Sequence, residues 1–300
     1  MKKYLLLVLV LGALCLRFYP PARLSAWVLI GRNQSCPLPN AARADTELKE
    51  QISKKDEILH ASRLKEKDPK GFRLYATPDG DYWVPDGSEY SLPYNLAEQA
   101  RDIYGRDGNG VKAGDVVLDC GANVGTFVRY CLKRGAKKII AIEPAPENIE
   151  VLRRNFVKEI EEGRVVVYPK GVWHQDDFLE LHTDPHNSAA DSFVIEKKDW
   201  GVVEKVPLTT IDKLVPELQL DKVDFIKMDI EGAETNALQG GMETIRKFQP
   251  RMAISVYHQA DHPKRVPQLV KQALDKYQTG CGPCAEVAFG VRPDILYFRP

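Results

Sequence analysis

A chain of 300 residues with 44% hydrophobic content is long enough to bury one large core and carry appendages besides. Its 42 basic and 42 acidic residues cancel, so no global field draws it to nucleic acid or to anionic lipid. A nucleic-acid partner is therefore not expected.

The first element is an uncharged apolar run from Tyr4 to Leu16 behind Lys2 and Lys3. It is shorter than the roughly 20 residues of a spanning helix, and residues 1–20 are expected to be a membrane anchor or signal segment, with a retained anchor favoured because no clean small-residue cleavage site follows. Residues 21–69 are expected to be linker and amphipathic helix. Between Ala41 and Asp68 the chain is rich in charge, and Leu48, Ile52 and Leu59 recur at near-helical spacing, the pattern of a solvated stalk. A larger domain should occupy residues 70–300. It opens with GFRLYATPDGDYWVPDG, which alternates around Pro78-Asp79-Gly80 and predicts a β-hairpin. A short helix from Tyr94 to Tyr104 should lead into the first core strand.

That strand and its sequel, VVLDCGANVGTF, carry Asp119 and then Gly121 and Gly125 before apolar residues resume at helical spacing. A buried strand, a glycine turn and a helix follow from the pattern. The spacing is D-x-G-x-x-x-G, so the pyrophosphate cradle of a dinucleotide site is not what is written, and another nucleoside cofactor is implied. The next strand, Ile139 to Ile142, ends in Glu143, an acid about 20 residues after the glycine loop and positioned to accept ribose hydroxyls. Further on, VDFIKMDIEGAE carries Lys227, Asp229, Glu231 and Glu234 toward and past the end of a third buried strand.

Together these segments resemble the FkbM-like family of S-adenosylmethionine-dependent methyltransferases. Its pattern is met by Asp119, Gly121, Ala122, Asn123 and Gly125, by Glu143, Pro144 and Asn148, and by Lys227, Asp229, Glu231, Gly232, Ala233 and Glu234. The resemblance spans roughly residues 115 to 258. It implies an α/β, Rossmann-like seven-stranded methyltransferase sheet with flanking helices, S-adenosyl-L-methionine as cofactor, and O-methylation of a hydroxyl on a small molecule or glycan.

The remaining elements fit that frame. Val165 to Tyr168 should be the next strand, with Gly171 to Trp173 either near the adenine or in the core, and FLELHTDPHNSAADSFVIEK should fold as an inserted hairpin beside the substrate. His174, His182 and His186 lie in or near this insertion without H-x-x-x-H or H-E-x-x-H spacing, so no metal site is expected. Arg251 to His258 predicts a strand ending in a histidine, and Lys264 to Tyr277 a helix. Strands Glu286–Val291 and Ile295–Phe298 should complete the sheet as an antiparallel pair. Cys281-Gly-Pro-Cys284 lacks the flanking strand and helix of a redox dithiol and is expected to be a tight turn, disulfide-closed if the domain is exported.

Methyl transfer from a sulfonium is an in-line displacement, so the acceptor must be aligned and a hydroxyl must lose its proton. The expected cofactor residues are Asp119, Gly121, Asn123, Gly125 and Glu143. His258 is the candidate general base, Asp229 faces the reacting centre, and Glu231 orients the acceptor or the base; for Glu234 a helix-start role is favoured. Two other readings stand beside this one: a membrane-tethered, non-catalytic S-adenosylmethionine-binding module, and a nucleotide-dependent dehydrogenase, whose second glycine pattern is missing. Because S-adenosylmethionine is a cytosolic metabolite, a membrane-attached domain facing the cytosol is expected.

Overall fold

The computed structural model describes residues 4, 12, 17–183, 192–195, 201–288 and 290–300, with backbone alone at 201–204. Its strands are β1 (Arg63–Asp68), β2 (Phe72–Thr77), β3 (Gly80–Pro85), β4 (Val116–Cys120), β5 (Lys138–Ile142), β6 (Val165–Tyr168), β7 (Gly171–Val172), β8 (Asp177–Thr183), β9 (Gly201–Thr209), β10 (Phe225–Met228), β11 (Arg251–Ser255), β12 (Gln278–Cys281), β13 (Cys284–Val287), β14 (Gly290–Pro293) and β15 (Ile295–Arg299).

Seven of them form the central sheet in the order β12-β15-β11-β10-β4-β5-β6. In this sheet β6, β5, β4, β10 and β11 are parallel, while β15 runs against both β11 and β12. Continuous burial along β4 and β10 is what a parallel strand covered on both faces requires, and one face packs Leu118, Ile140, Ile226 and Ile254 into the larger core. The order reverses direction between β4 and β10, so a ligand crevice opens at the carboxyl ends of these two strands.

The sheet differs from expectation at its edge. The sixth strand is β12, Gln-Thr-Gly-Cys, which is half-exposed and has no apolar pattern to betray it. Residues expected to pair with β15 instead fold back as a separate hairpin of β13 and β14. Their position is fixed by a Cys36–Cys284 disulfide, so the Cys281–Cys284 turn closes differently from expectation: Cys281 keeps a free thiol beside the bridge. The insertion pairs differently from expectation: β8, the first arm of the expected hairpin over 178–197, is antiparallel to β9, which contains the further strand at 205–209, and β7 is parallel to β9. Residues 184–191 and 196–200, His186 among them, lie outside the described residues.

The β2–β3 hairpin forms as expected and gains β1 as a third strand. The segment expected as a stalk is a helix over Leu38–Ala61 that docks onto the domain, burying Glu47, Gln51 and Ile58. Charge along it is partly used in contacts rather than left to solvent, and Glu47 pairs with both Arg101 and Arg106. The membrane attachment expected of the N-terminus is corrected: among the described residues no helix is long and apolar enough to cross a membrane. The nearest helix, Pro20–Leu29, has 10 residues, and most of the run from position 4 to 16 lies outside the described residues.

Candidate active site

The loop after β4 passes close against the end of β10, and its glycines are what permit the approach. Gly121 has φ +82, and a Cβ there would collide with the Asp229 carbonyl oxygen. Gly125, at φ +89, precedes the helix Thr126–Lys133, and a Cβ would collide with the Phe156 ring. Between them Asn123 is held at φ +49, with its side-chain nitrogen buried and unbonded. Thr126 and Phe127, which open the helix, line the crevice, where a helix N-terminus favours an anionic group.

Parallel pairing sets Lys227 beside Asp119, and their side chains meet at 3.2 Å. The ammonium also donates to the Gly121 carbonyl at 2.7 Å, tying the loop to β10. Burial raises the Asp119 carboxyl, to about 6 after Lys227 pulls it back. Burial works against the Lys227 charge as well, but Asp119 and Asp229 more than offset it, and its pKa stands above the ordinary value.

Glu143, at the end of β5, is buried, and each of its oxygens accepts one backbone N–H: Asn123 at 2.8 Å and Ala145 at 2.9 Å. Burial raises this carboxyl against those two bonds and a third from the Asn148 side chain. Glu143 therefore shapes the glycine loop and keeps lone pairs for a further donor. It lines a narrow slot of about 50 Å³ together with Ile142, Pro144, Gly171, Val172 and Phe193. Gly171 and Val172, and not Trp173, face this slot. Phe193 comes from the insertion, as does Ser192, whose hydroxyl donates to the Glu231 carbonyl at 2.6 Å.

The slot opens toward a cleft of about 400 Å³, and Gly121, Asn123, Asp229 and Glu231 line both. Opposite them stands the helix Ser91–Ala100 with Tyr94, Asn95 and Glu98. Asp229 follows β10 and accepts from the Tyr104 hydroxyl at 2.8 Å. Burial, and then Asp229, push the Tyr104 phenol well up. The same two causes, in the same order, raise the Glu98 carboxyl well above its usual range.

His258, Asp229 and Glu231 come together as the strand order predicts. His258 Nε2 stands 3.3 Å from Glu231 and 3.6 Å from Asp229. The ring is only 3% exposed and does not line the cleft. Its Nδ1 stands 2.8 Å from Glu234, a fully buried carboxylate that also accepts the Ile230 N–H at 3.0 Å. Burial lowers the imidazole's proton affinity, but Glu234 and Glu231 overcome it and its pKa lies well above the ordinary value. Burial likewise opposes the Glu234 charge, and His258 outweighs it, holding that carboxyl at about 2. A ring held between carboxylates and away from the cleft lining is placed to position Glu231 and Asp229. Glu234 begins the helix Glu234–Gln239, as expected, and in addition orients the imidazole.

Sequence reasoning missed Tyr104, Tyr257 and Glu98, which reach the cleft from positions with no motif around them. The signal for Glu98 was an acid on an otherwise apolar helix face between Leu96, Ala97 and the core.

A parallel sheet reversing between β4 and β10, a glycine turn with an acid before it, an acid closing the next strand and a charged end to β10 define a Rossmann-like methyltransferase. The chain belongs to the FkbM family: the Methyltransferase FkbM domain matches residues 119–278, more than half of its length. S-adenosylmethionine is the cofactor, and the residues present fit it: the glycine turn with its unbonded Asn123 amide, the Glu143 lone pairs and the apolar slot beside them. Among curated relatives, 31-O-demethyl-FK506 methyltransferase FkbM of Streptomyces tacrolimicus is 25% identical over 53% of this chain and 71% of its own. Hexuronic acid methyltransferase AglP of Haloferax volcanii is 24% identical over 53% of this chain and 62% of its own. The matches span 57% to 71% of such relatives' lengths. A solved structure, methyltransferase FkbM from Methylobacillus flagellatus KT, aligns at 17% identity with a TM-score of 0.47, over 86% of this chain and 61% of that one.

Proposed function

We propose that the protein transfers the methyl group of S-adenosylmethionine to a hydroxyl of a small molecule or glycan. The observation that carries this reading is the shared wall: Asp229 and Glu231 border both the cofactor slot and the wider cleft, so an acceptor in the cleft lies beside carboxylates at the point where the methyl group is presented. When bound, the cofactor supplies a methyl group activated by a sulfonium. Gly121, Asn123 and Gly125 shape the seat for its methionine end, Asp119 fixes that seat through Lys227, and Glu143 accepts from the ribose hydroxyls. Asp229 and Glu231 hold the acceptor hydroxyl and its proton, with His258 behind them as a positioning residue. The cleft lining supports a polyhydroxylated acceptor, since Tyr90, Ser91, Tyr94, Asn95 and Gln99 offer hydrogen bonds and rings, and the one cation among its described residues, Lys227, is committed to Asp119. Two relatives' names point the same way, one to an O-linked position and one to a sugar acid.

The full chain incubated with methyl-labelled cofactor and a panel of glycans, uronic acids and polyhydroxylated small molecules should yield alkali-stable label, the mark of an ether. Alkali-labile label would indicate carboxyl esters instead. Saturable cofactor binding with no acceptor labelled would favour a non-catalytic module. Glu143→Ala should weaken cofactor binding by about 1.5–3 kcal/mol per hydrogen bond to the charged group; an unchanged dissociation constant would make Glu143 purely structural.

A further inference from the structure

We propose that Asp229, Glu231 and His258 bind one divalent metal ion at the floor of the cleft, with its open coordination positions toward the acceptor. The donors come from two strand ends: Asp229 directly after β10, Glu231 two residues on at φ +51, and His258 three residues after β11. One atom from each lies within 4.8 Å of the others.

The independent mark is the imidazole. Its Nε2 is buried without a hydrogen bond and points at two carboxylates, while Nδ1 meets the buried Glu234. Without a metal, a proton on Nε2 faces the two carboxylates; with the Nδ1 proton held by Glu234, a divalent cation that displaces the Nε2 proton would be met by an imidazole lone pair and two carboxylates at once. A ligating histidine whose other nitrogen is held by a carboxylate is the usual support of a metal-binding imidazole. Separations of 3.3 and 3.6 Å are long for charge-assisted hydrogen bonds, which run at about 2.7–2.9 Å. Donors about 2.1 Å from one ion stand about 3.0–3.4 Å apart, so the Glu231 spacing of 3.3 Å fits as it stands and the Asp229 spacing of 3.6 Å would close slightly on an ion.

Two carboxylate oxygens and one imidazole nitrogen, with no thiolate, suit Mn²⁺, Fe²⁺, Co²⁺ or Zn²⁺ rather than a soft monovalent ion. An ion here would polarise the acceptor hydroxyl and ease loss of its proton, the task that a ring closed between carboxylates does poorly. That catalytic consequence rests on the O-methylation reading, whereas the binding site rests on its own geometry.

Mn²⁺ added to chelator-stripped full-length protein tests it, with calorimetry for stoichiometry and pulsed electron paramagnetic resonance for nitrogen coupling. One ion per chain with a histidine nitrogen coupling is expected. Glu231→Gln and Asp229→Asn should each abolish tight binding, and Glu234→Gln should weaken it about 10- to 100-fold. Absence of nitrogen coupling, or variants that fold by circular dichroism and bind Mn²⁺ like the parent, would overturn the site. If the variants do not fold, the coupling on the parent decides alone. S-adenosylmethionine binding in chelator separates the two ideas: cofactor bound and label transferred without Mn²⁺ affinity refutes the metal and keeps the methyltransferase reading, while Mn²⁺ bound with no hydroxyl methylated does the reverse.

Discussion

Two groups of recessed carboxylates in this chain are neutralised in different ways. Glu47, on the helix Leu38–Ala61, is 11% exposed and meets Arg101 and Arg106, the latter at 2.8 Å, with Gln51 and Glu50 completing the contacts of Arg101. Opposite charges are matched and the donors find partners. At the cleft, three carboxylates, Asp229, Glu231 and Glu234, gather around His258, with His262 Nδ1 reaching only Glu234 at 3.3 Å, and the nearby Lys227 is spent on Asp119 and a loop carbonyl. A cluster closed by its own counter-charges holds structure together. One left short of positive charge costs stability, and it persists where a ligand or reacting group completes it.

The largest expected effect separates the two clusters by activity. Asp229→Asn or Glu231→Gln should lower turnover about 10²- to 10⁴-fold, the range for groups that handle a proton in the transition state. Measured in chelator, the melting temperature of either variant should be no lower than the parent's, because one of several like charges has been removed. A drop of several degrees would place these residues with Glu47 as structural groups.

Arg101→Ala should do the opposite. It strips the Glu47 carboxylate of one partner in a recessed site and should cost about 1.5–3 kcal/mol in urea unfolding, the range for hydrogen bonds to charged groups. Cofactor affinity of the folded variant should match the parent's. Loss of that affinity would show that the docked helix and the cleft are one cooperative unit.

How much of this was legible in the sequence follows from the range of the interactions. Asp119, Gly121, Glu143 and Asp229 each end or follow an apolar strand, so a local pattern placed them at one sheet edge, and the parallel order brought His258 beside Asp229. The ion pair between Arg101 and Glu47 joins residues 54 positions apart, and the Cys36–Cys284 disulfide joins residues 248 apart. No periodicity encodes either contact. β12 was missed because an edge strand of Gln, Thr, Gly and Cys buries little. The surroundings of His258 were out of reach for a related reason: a strand pattern places the imidazole at the sheet edge, and only the fold supplies Glu234 and Glu231 on its two nitrogens.

The smallest effect concerns acid. Burial opposes the Glu47 charge, but Arg106 and Arg101 outweigh it, so its folded-state pKa lies below the ordinary 4.5. A depressed carboxyl stabilises the fold above its unfolded pKa, and that contribution is lost as pH falls through the folded value, because the unfolded chain binds the proton first. Glu47→Gln removes the titration while keeping the shape. The parent should therefore melt above the variant at neutral pH, with a gap that stays level down to about pH 5 and closes as the solution is acidified below about 4.5. The cleft carboxylates are the same in both proteins, so their titration cancels in the difference. A gap that persists unchanged to about pH 3 would mean that Glu47 packs the helix by shape and not by charge.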